Sequence, residues 1–120
     1  MKNATLVLGA SLKEIRYSNM AIKRLIGKNV PVLALGLKKG KVENVAIVTE
    51  KIDFKNVDTV TLYLNSKRQE EYYDYIISLQ PRRVIFNPGT ENMEFVKLLQ
   101  QNNIESEIAC TLVLLSTNQY

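Results

Sequence analysis

The stretch Ala4–Ser11, Ala-Thr-Leu-Val-Leu-Gly-Ala-Ser, constrains the fold more than any other part of the chain. Ala4–Leu8 is uncharged throughout, as expected of a strand buried on both faces of a parallel sheet. It ends in Gly9, Ala10 and Ser11, residues small enough to let backbone approach a phosphate, and the chain must then turn into a helix. Strand, small-residue turn and helix N-terminus form the opening of a nucleotide-binding half-fold. Only Gly9 of the usual three glycines is present, so the end of the next strand must decide which nucleotide fits.

Beyond that opening, strand and helix patterns alternate. Ser18 is a candidate N-cap for a helix with Ala21, Ile22, Leu25 and Ile26 on one face and Gly27 at its stop. Val30–Leu35 reads as strand two. A basic loop with two glycines, Gly36–Lys41, leads to a short strand at Val45–Thr49. Asp58–Leu64 reads as the third main strand, and Ser66 with Gln69 as a capping box opening a helix with Tyr72, Tyr73, Ile76 and Ile77 inward. Pro81 ends that helix. Arg83–Phe86 is strand four. A helix capped at Thr90, with Met93, Val96 and Leu99 apolar, leads to strand five at Ile104–Ala109. Thr111–Ser116 is apolar without a clear period. Strands separated by helices imply an α/β fold: a Rossmann-like, doubly wound parallel sheet of about five main strands, order 3-2-1-4-5, with helices on both faces. Residues 1–120 are read as one domain, a length that suffices for a single core.

Charge and cysteine usage narrow the class. The net charge is +4, and the basic residues are concentrated early: residues 1–60 hold 11 Lys/Arg against 5 Asp/Glu, residues 61–120 hold 5 against 7. A basic first half suits an anionic ligand. Nucleic acid is disfavoured, because no basic run is interleaved with aromatics. The single cysteine excludes an intramolecular disulfide and fits a reducing cytoplasm. The opening apolar run is too short for a signal peptide or a membrane span.

In a doubly wound sheet, ligands sit beyond the carboxyl ends of the strands where the order reverses. That geometry selects the candidates. Gly9, Ala10 and Ser11 could offer backbone and hydroxyl donors to a pyrophosphate. Arg16, Tyr17, Ser18 and Asn19 add a guanidinium and two hydroxyls at the helix entrance. At the end of strand two, an NAD-binding domain places an acid about 20 residues after its glycines. This chain has Leu35, Gly36, Leu37, Lys38 and Lys39 there, which suits a ribose phosphate, as in coenzyme A or NADP. Leu64 and Asn65 follow strand three, and Asn87 and Gly89 follow strand four across the crevice. Cys110 reads either as a small buried hydrophobe or as a thiol facing the ligand.

No catalytic set emerges. There is no histidine, so the commonest general base is absent. No cluster has metal-ligand spacing, and no phosphate loop ends in Gly-Lys-Ser/Thr.

Taken in order, these segments resemble the small stand-alone CoA-binding proteins, and the CoA-binding domain of the succinyl-CoA synthetase alpha subunit. Leu6-Val-Leu-Gly-Ala-Ser11 resembles the family's Val-Gly-Ala-Ser opening, and Arg16-Tyr-Ser18 its Arg-Pro-Ser. Val57-Asp-Thr-Val60 is similar to the strand-three entry. Arg83-Val-Ile-Phe-Asn-Pro-Gly89 with Glu91-Asn92 is similar to the strand-four segment, and Ile108-Ala-Cys110 falls where a cysteine is common. Two positions depart: Ala34-Leu35-Gly36 stands for Val-Asn-Pro, and Asn87-Pro88 precede the glycine in place of Gln.

The resemblance implies a Rossmann-type fold binding coenzyme A, with no established reaction for the stand-alone members. Gly9, Ala10 and Ser11 would meet the pyrophosphate, Arg16 and Ser18 phosphate oxygens, and Lys38 or Lys39 the ribose 3′-phosphate. Asn87 and Gly89 would lie near the pantetheine arm. The expectation is a cytoplasmic, non-catalytic binder of coenzyme A or acyl-CoA, with no metal, nucleic acid or membrane, and room for a homo-oligomer or protein partner. The alternatives are a small NADP- or CoA-dependent enzyme using Tyr17 or Tyr63, and an interaction module that has lost its ligand.

Overall fold

The computed structural model describes residues 2–120. Seven strands form one sheet: β1 Ala4–Ala10, β2 Val32–Gly36, β3 Gly40–Val42, β4 Val45–Val48, β5 Val57–Leu62, β6 Arg83–Phe86 and β7 Glu105–Ile108. Their order is β3-β4-β2-β1-β5-β6-β7. All neighbours pair in parallel except β3, which runs antiparallel to β4 at the edge.

The class agrees with the sequence reading, but the order corrects it. The short strand at residues 45–48 occupies the place beyond β2, and Val57–Leu62 lies on the other side of β1. The reason is burial. Five of the six β5 residues are buried, which only an interior strand allows. The β4 side chains alternate between buried and accessible, as suits a strand near the edge. The six parallel strands thus run 3-2-1-4-5-6 in chain order, reversing direction between β1 and β5.

Alternation along the strands sends side chains to two cores. Leu6, Leu8, Val60, Leu62, Val84 and Phe86 meet Ile76, Leu79, Phe95 and Leu99 on one face. These come from α3 (Tyr73–Leu79) and α4 (Met93–Gln101). Val7, Ala34 and Ile47 meet Ile22 and Leu25 of α1 (Tyr17–Gly27), and Leu115 of α5 (Thr111–Ser116), on the other. The ambiguous apolar tail is therefore a helix that covers the sheet.

Three helix starts differ from the sequence reading. Arg16, not Ser18, is the N-cap of α1. A turn closed by Arg16 N–H donating to the Lys13 carbonyl at 3.1 Å starts the helix two residues early, and no side chain caps it. In α2 (Ser66–Gln69), Asn65 is the cap, its Oδ1 accepting from the Arg68 N–H at 2.9 Å. Gln69 turns inward instead, its Nε2 donating to the carbonyls of Leu64 at 2.9 Å and Thr90 at 2.8 Å. A fully buried amide must find such partners. A 3₁₀ turn, Glu70–Tyr72, joins α2 to α3. Asn92 caps α4, while the Thr90 hydroxyl folds back onto the Asn87 carbonyl. Met93 is exposed, and Phe95 takes the buried position beside Val96 and Leu99.

Candidate functional site

The carboxyl ends of β2, β1, β5 and β6 open into one cleft of about 550 Å³. It lies at the point where strand order reverses, the place a doubly wound sheet reserves for ligands. Two glycines shape its floor. Gly9 is the extra residue of a bulge in β1: Leu8 lies opposite Leu35 and Ala10 opposite Gly36, with Gly9 stepped over. Its φ is +96°, and a methyl group on it would stand 3.0 Å from the Tyr63 backbone. At Gly36 a methyl would lie 2.3 Å from the Ala10 carbonyl oxygen. At Gly36, the last position of the departure from Val-Asn-Pro, β1 and β2 thus approach too closely for a side chain.

Of the residues selected from the sequence, Gly9, Ala10, Ser11, Arg16, Tyr17, Ser18, Leu35, Gly36, Lys38, Leu64, Asn65 and Gly89 line the cleft. The Ser11 hydroxyl accepts from the Lys13 N–H at 3.1 Å, which leaves its own hydrogen free to donate. The first turn of α1 faces the same space with its N–H groups uncapped by any side chain. Such a terminus attracts anions through its free donors and its dipole.

Three selected residues do not line it. Asn19 is buried beneath the turn: its Nδ2 donates to the Ser11 carbonyl at 2.9 Å, and its Oδ1 has no partner among the described residues. Lys39 is exposed just before β3 and outside the cleft lining. Asn87 is a structural clamp. Its Nδ2 donates to Thr61 Oγ1 at 2.7 Å and to the Leu62 carbonyl at 2.9 Å, and its Oδ1 accepts from the Thr111 N–H at 2.8 Å. It ties β6 to β5 and to the start of α5. Cys110 is half-buried as the N-cap of α5, also outside the cleft.

Leu37 and Pro88, within the stretches selected after strands two and four, line it too, and the structure adds Leu12, Lys13, Tyr63, Arg68, Tyr72 and Thr90. Lys13 and Arg68 matter most, and each stands two or three residues beyond a selected position. With Arg16 and Lys38 they give four cationic side chains, and no Asp or Glu lines the cleft. None of the four makes an ion pair among the described residues. Their charge is directed at solvent or ligand. Burial pushes the Tyr63 hydroxyl up to about 12. It has no hydrogen-bond partner among the described residues and stays protonated at neutral pH. Among the described residues, no group of three or more His, Cys, Asp or Glu could hold a metal ion. No helix among them is long and apolar enough to cross a membrane.

Six parallel strands in the order 3-2-1-4-5-6, with a cationic cleft where that order reverses, make this a doubly wound, Rossmann-like α/β fold. A family model described as a CoA binding domain matches residues 3–116, and the chain belongs to that family. An uncharacterized protein of known crystal structure shares 45% identity over 100% of this chain and 99% of its own, with a TM-score of 0.96. Two further structures share the fold. A hypothetical protein from Pyrococcus horikoshii has 23% identity, TM-score 0.84, over 93% of this chain and 80% of its own. A protein from Thermus thermophilus has 19% identity, TM-score 0.85, over 98% and 91%. No curated protein matches the chain in sequence.

Proposed function

We propose that the chain binds coenzyme A or an acyl-CoA in this cleft and does not itself catalyse a reaction. The observation that carries the reading is the charge of the lining: four unpaired cations, an uncapped helix N-terminus, and no carboxylate. Coenzyme A carries a diphosphate and a ribose 3′-phosphate, and each needs its own cationic contact. In this reading the diphosphate lies against Gly9–Ser11 and the first turn of α1, with Lys13 and Arg16 beside it. Lys38, beyond β2, takes the 3′-phosphate. NAD is disfavoured because a ribose diol requires an acceptor there, and β2 ends without an acid.

The non-catalytic part of the reading rests on the side chains available. The lining holds no histidine or carboxylate, and the buried Tyr63 hydroxyl holds its proton far above neutrality. Titration of the protein with coenzyme A, NADP and NAD, followed by native mass spectrometry, tests the proposal. A one-to-one adduct with coenzyme A that outlasts NADP and NAD is expected. Retention of NADP in preference to coenzyme A would move the reading to a redox protein. Silence toward all three would leave an interaction module.

A further inference from the structure

Three of the four cleft cations are accounted for by the phosphates of coenzyme A. Arg68 is not. It lies on α2, beyond β5, on the far side of the strand-order reversal from Lys38. In the orientation proposed above, Lys38 fixes the nucleotide end and the α1 turn holds the diphosphate. The thiol end then runs toward Asn65, Arg68, Tyr72 and the Pro88–Thr90 segment. The guanidinium of Arg68 has no hydrogen-bond or ion-pair partner among the described residues, and Tyr72, one helical turn on, lines the same wall.

The two ends of the cleft differ in chemistry. Leu12 and Leu37, two exposed apolar side chains that line it, belong to the loops after β1 and β2. The far wall, beside Leu64 and Pro88, adds the Asn65 amide, the Arg68 guanidinium and the Tyr72 phenol, while the Thr90 hydroxyl is already donated to the Asn87 carbonyl. A long alkyl chain would strand those polar groups, at the cost of their hydration. A short acyl group ending in an anion would satisfy them, because a guanidinium offers paired donors to a carboxylate.

We propose that the preferred ligands are CoA thioesters of short dicarboxylic acids, and that Arg68 receives their free carboxylate. This rests on the CoA reading of the cleft and extends it to the acyl group. The test uses two hydrolysis-resistant thioethers of equal chain length, S-(2-carboxyethyl)-CoA and S-propyl-CoA, with coenzyme A itself, each titrated calorimetrically. The wild type is expected to bind the carboxyethyl thioether about threefold to tenfold tighter than the propyl one, as for a partly solvated ion pair. Arg68→Gln is expected to bring that ratio to about one, and Arg68→Lys to keep part of it. Binding of coenzyme A with no difference between the thioethers would overturn this proposal alone. So would a ratio that survives unchanged in Arg68→Gln. Failure of the wild type to bind any of the three would remove the CoA reading, and this proposal with it.

Discussion

At the scale of single residues, the shape of the cleft rests on close backbone packing and on buried side-chain ties. Gly36 is the sharpest case. A methyl group there would overlap the Ala10 carbonyl oxygen, part of the backbone, so no rotamer change relieves it. Gly36→Ala is expected to cost about 2–3 kcal/mol in urea unfolding and to weaken ligand binding, because the ends of β1 and β2 must part. Asn87 gives the opposite pattern. Its alanine variant leaves the Thr111 N–H without its acceptor and the Leu62 carbonyl and Thr61 hydroxyl without its amide. A loss of about 2–3 kcal/mol in stability is expected, with little change in affinity per folded molecule. The sequence marks Asn87 as lying at a strand's carboxyl end, which is correct. It does not say that the side chain turns sideways into β5 and α5, because that depends on a neighbour 24 residues away. Lys13 and Arg68 escape notice for a related reason: loop and helix geometry, not spacing along the chain, turns them into the cleft.

At the scale of elements, periodicity and turn chemistry recover six strands closely, and β6 runs from Arg83 to Phe86 as the sequence suggests. The three-residue edge strand β3, Gly40–Val42, instead begins inside the stretch that reads as a basic loop. Helix starts are less legible, since Ser18, Ser66 and Thr90 are all good caps and each loses to a neighbour with better local geometry. Asn65→Ala is expected to cost about 1 kcal/mol, read by chemical denaturation, while Ser66→Ala costs little. Strand order is the least legible feature. β4 has only four residues, and its place beyond β2 follows from the burial of β5, a property of the assembled sheet. Between β5 and β6, Arg82 pairs with Asp58 at 3.0 Å. Burial raises the Asp58 carboxyl, but hydrogen bonds from Arg82 and Thr59, with the charges of Arg82 and Arg83, outweigh it and hold it below its usual value. A carboxyl depressed in the folded state stabilises above its unfolded pKa, and that contribution disappears as the pH falls through the folded one. The melting temperature of Asp58→Asn should therefore lie below the wild type at pH 7, the gap narrowing below about pH 4.

At the scale of the whole molecule, the sheet separates two tasks. One end of the strands is tied by internal partners: Arg83 donates to Glu107 at 2.8 Å and to Thr59 at 3.0 Å, and the Tyr120 ring stacks on its guanidinium. At the other end, the cations of the cleft are left unpaired. Alkaline sensitivity belongs to the folded body as well. Burial pushes Tyr75, whose hydroxyl donates to the Ile52 carbonyl, up to about 12. A tyrosine raised in the folded state stabilises fully below about pH 10, and that contribution is lost as the pH rises toward 12. Tyr75→Phe is expected to flatten the fall in melting temperature over that range. The central claim, that the cleft is a coenzyme A site with Lys38 on the ribose phosphate, is tested most directly by calorimetric titration. Coenzyme A and 3′-dephospho-CoA would be compared on the wild type and on Lys38→Ala. The account predicts that the wild type binds coenzyme A more tightly than the dephospho form, and that Lys38→Ala removes most of the difference. No binding of coenzyme A at millimolar concentration, or equal affinity for both ligands in the wild type, would contradict it.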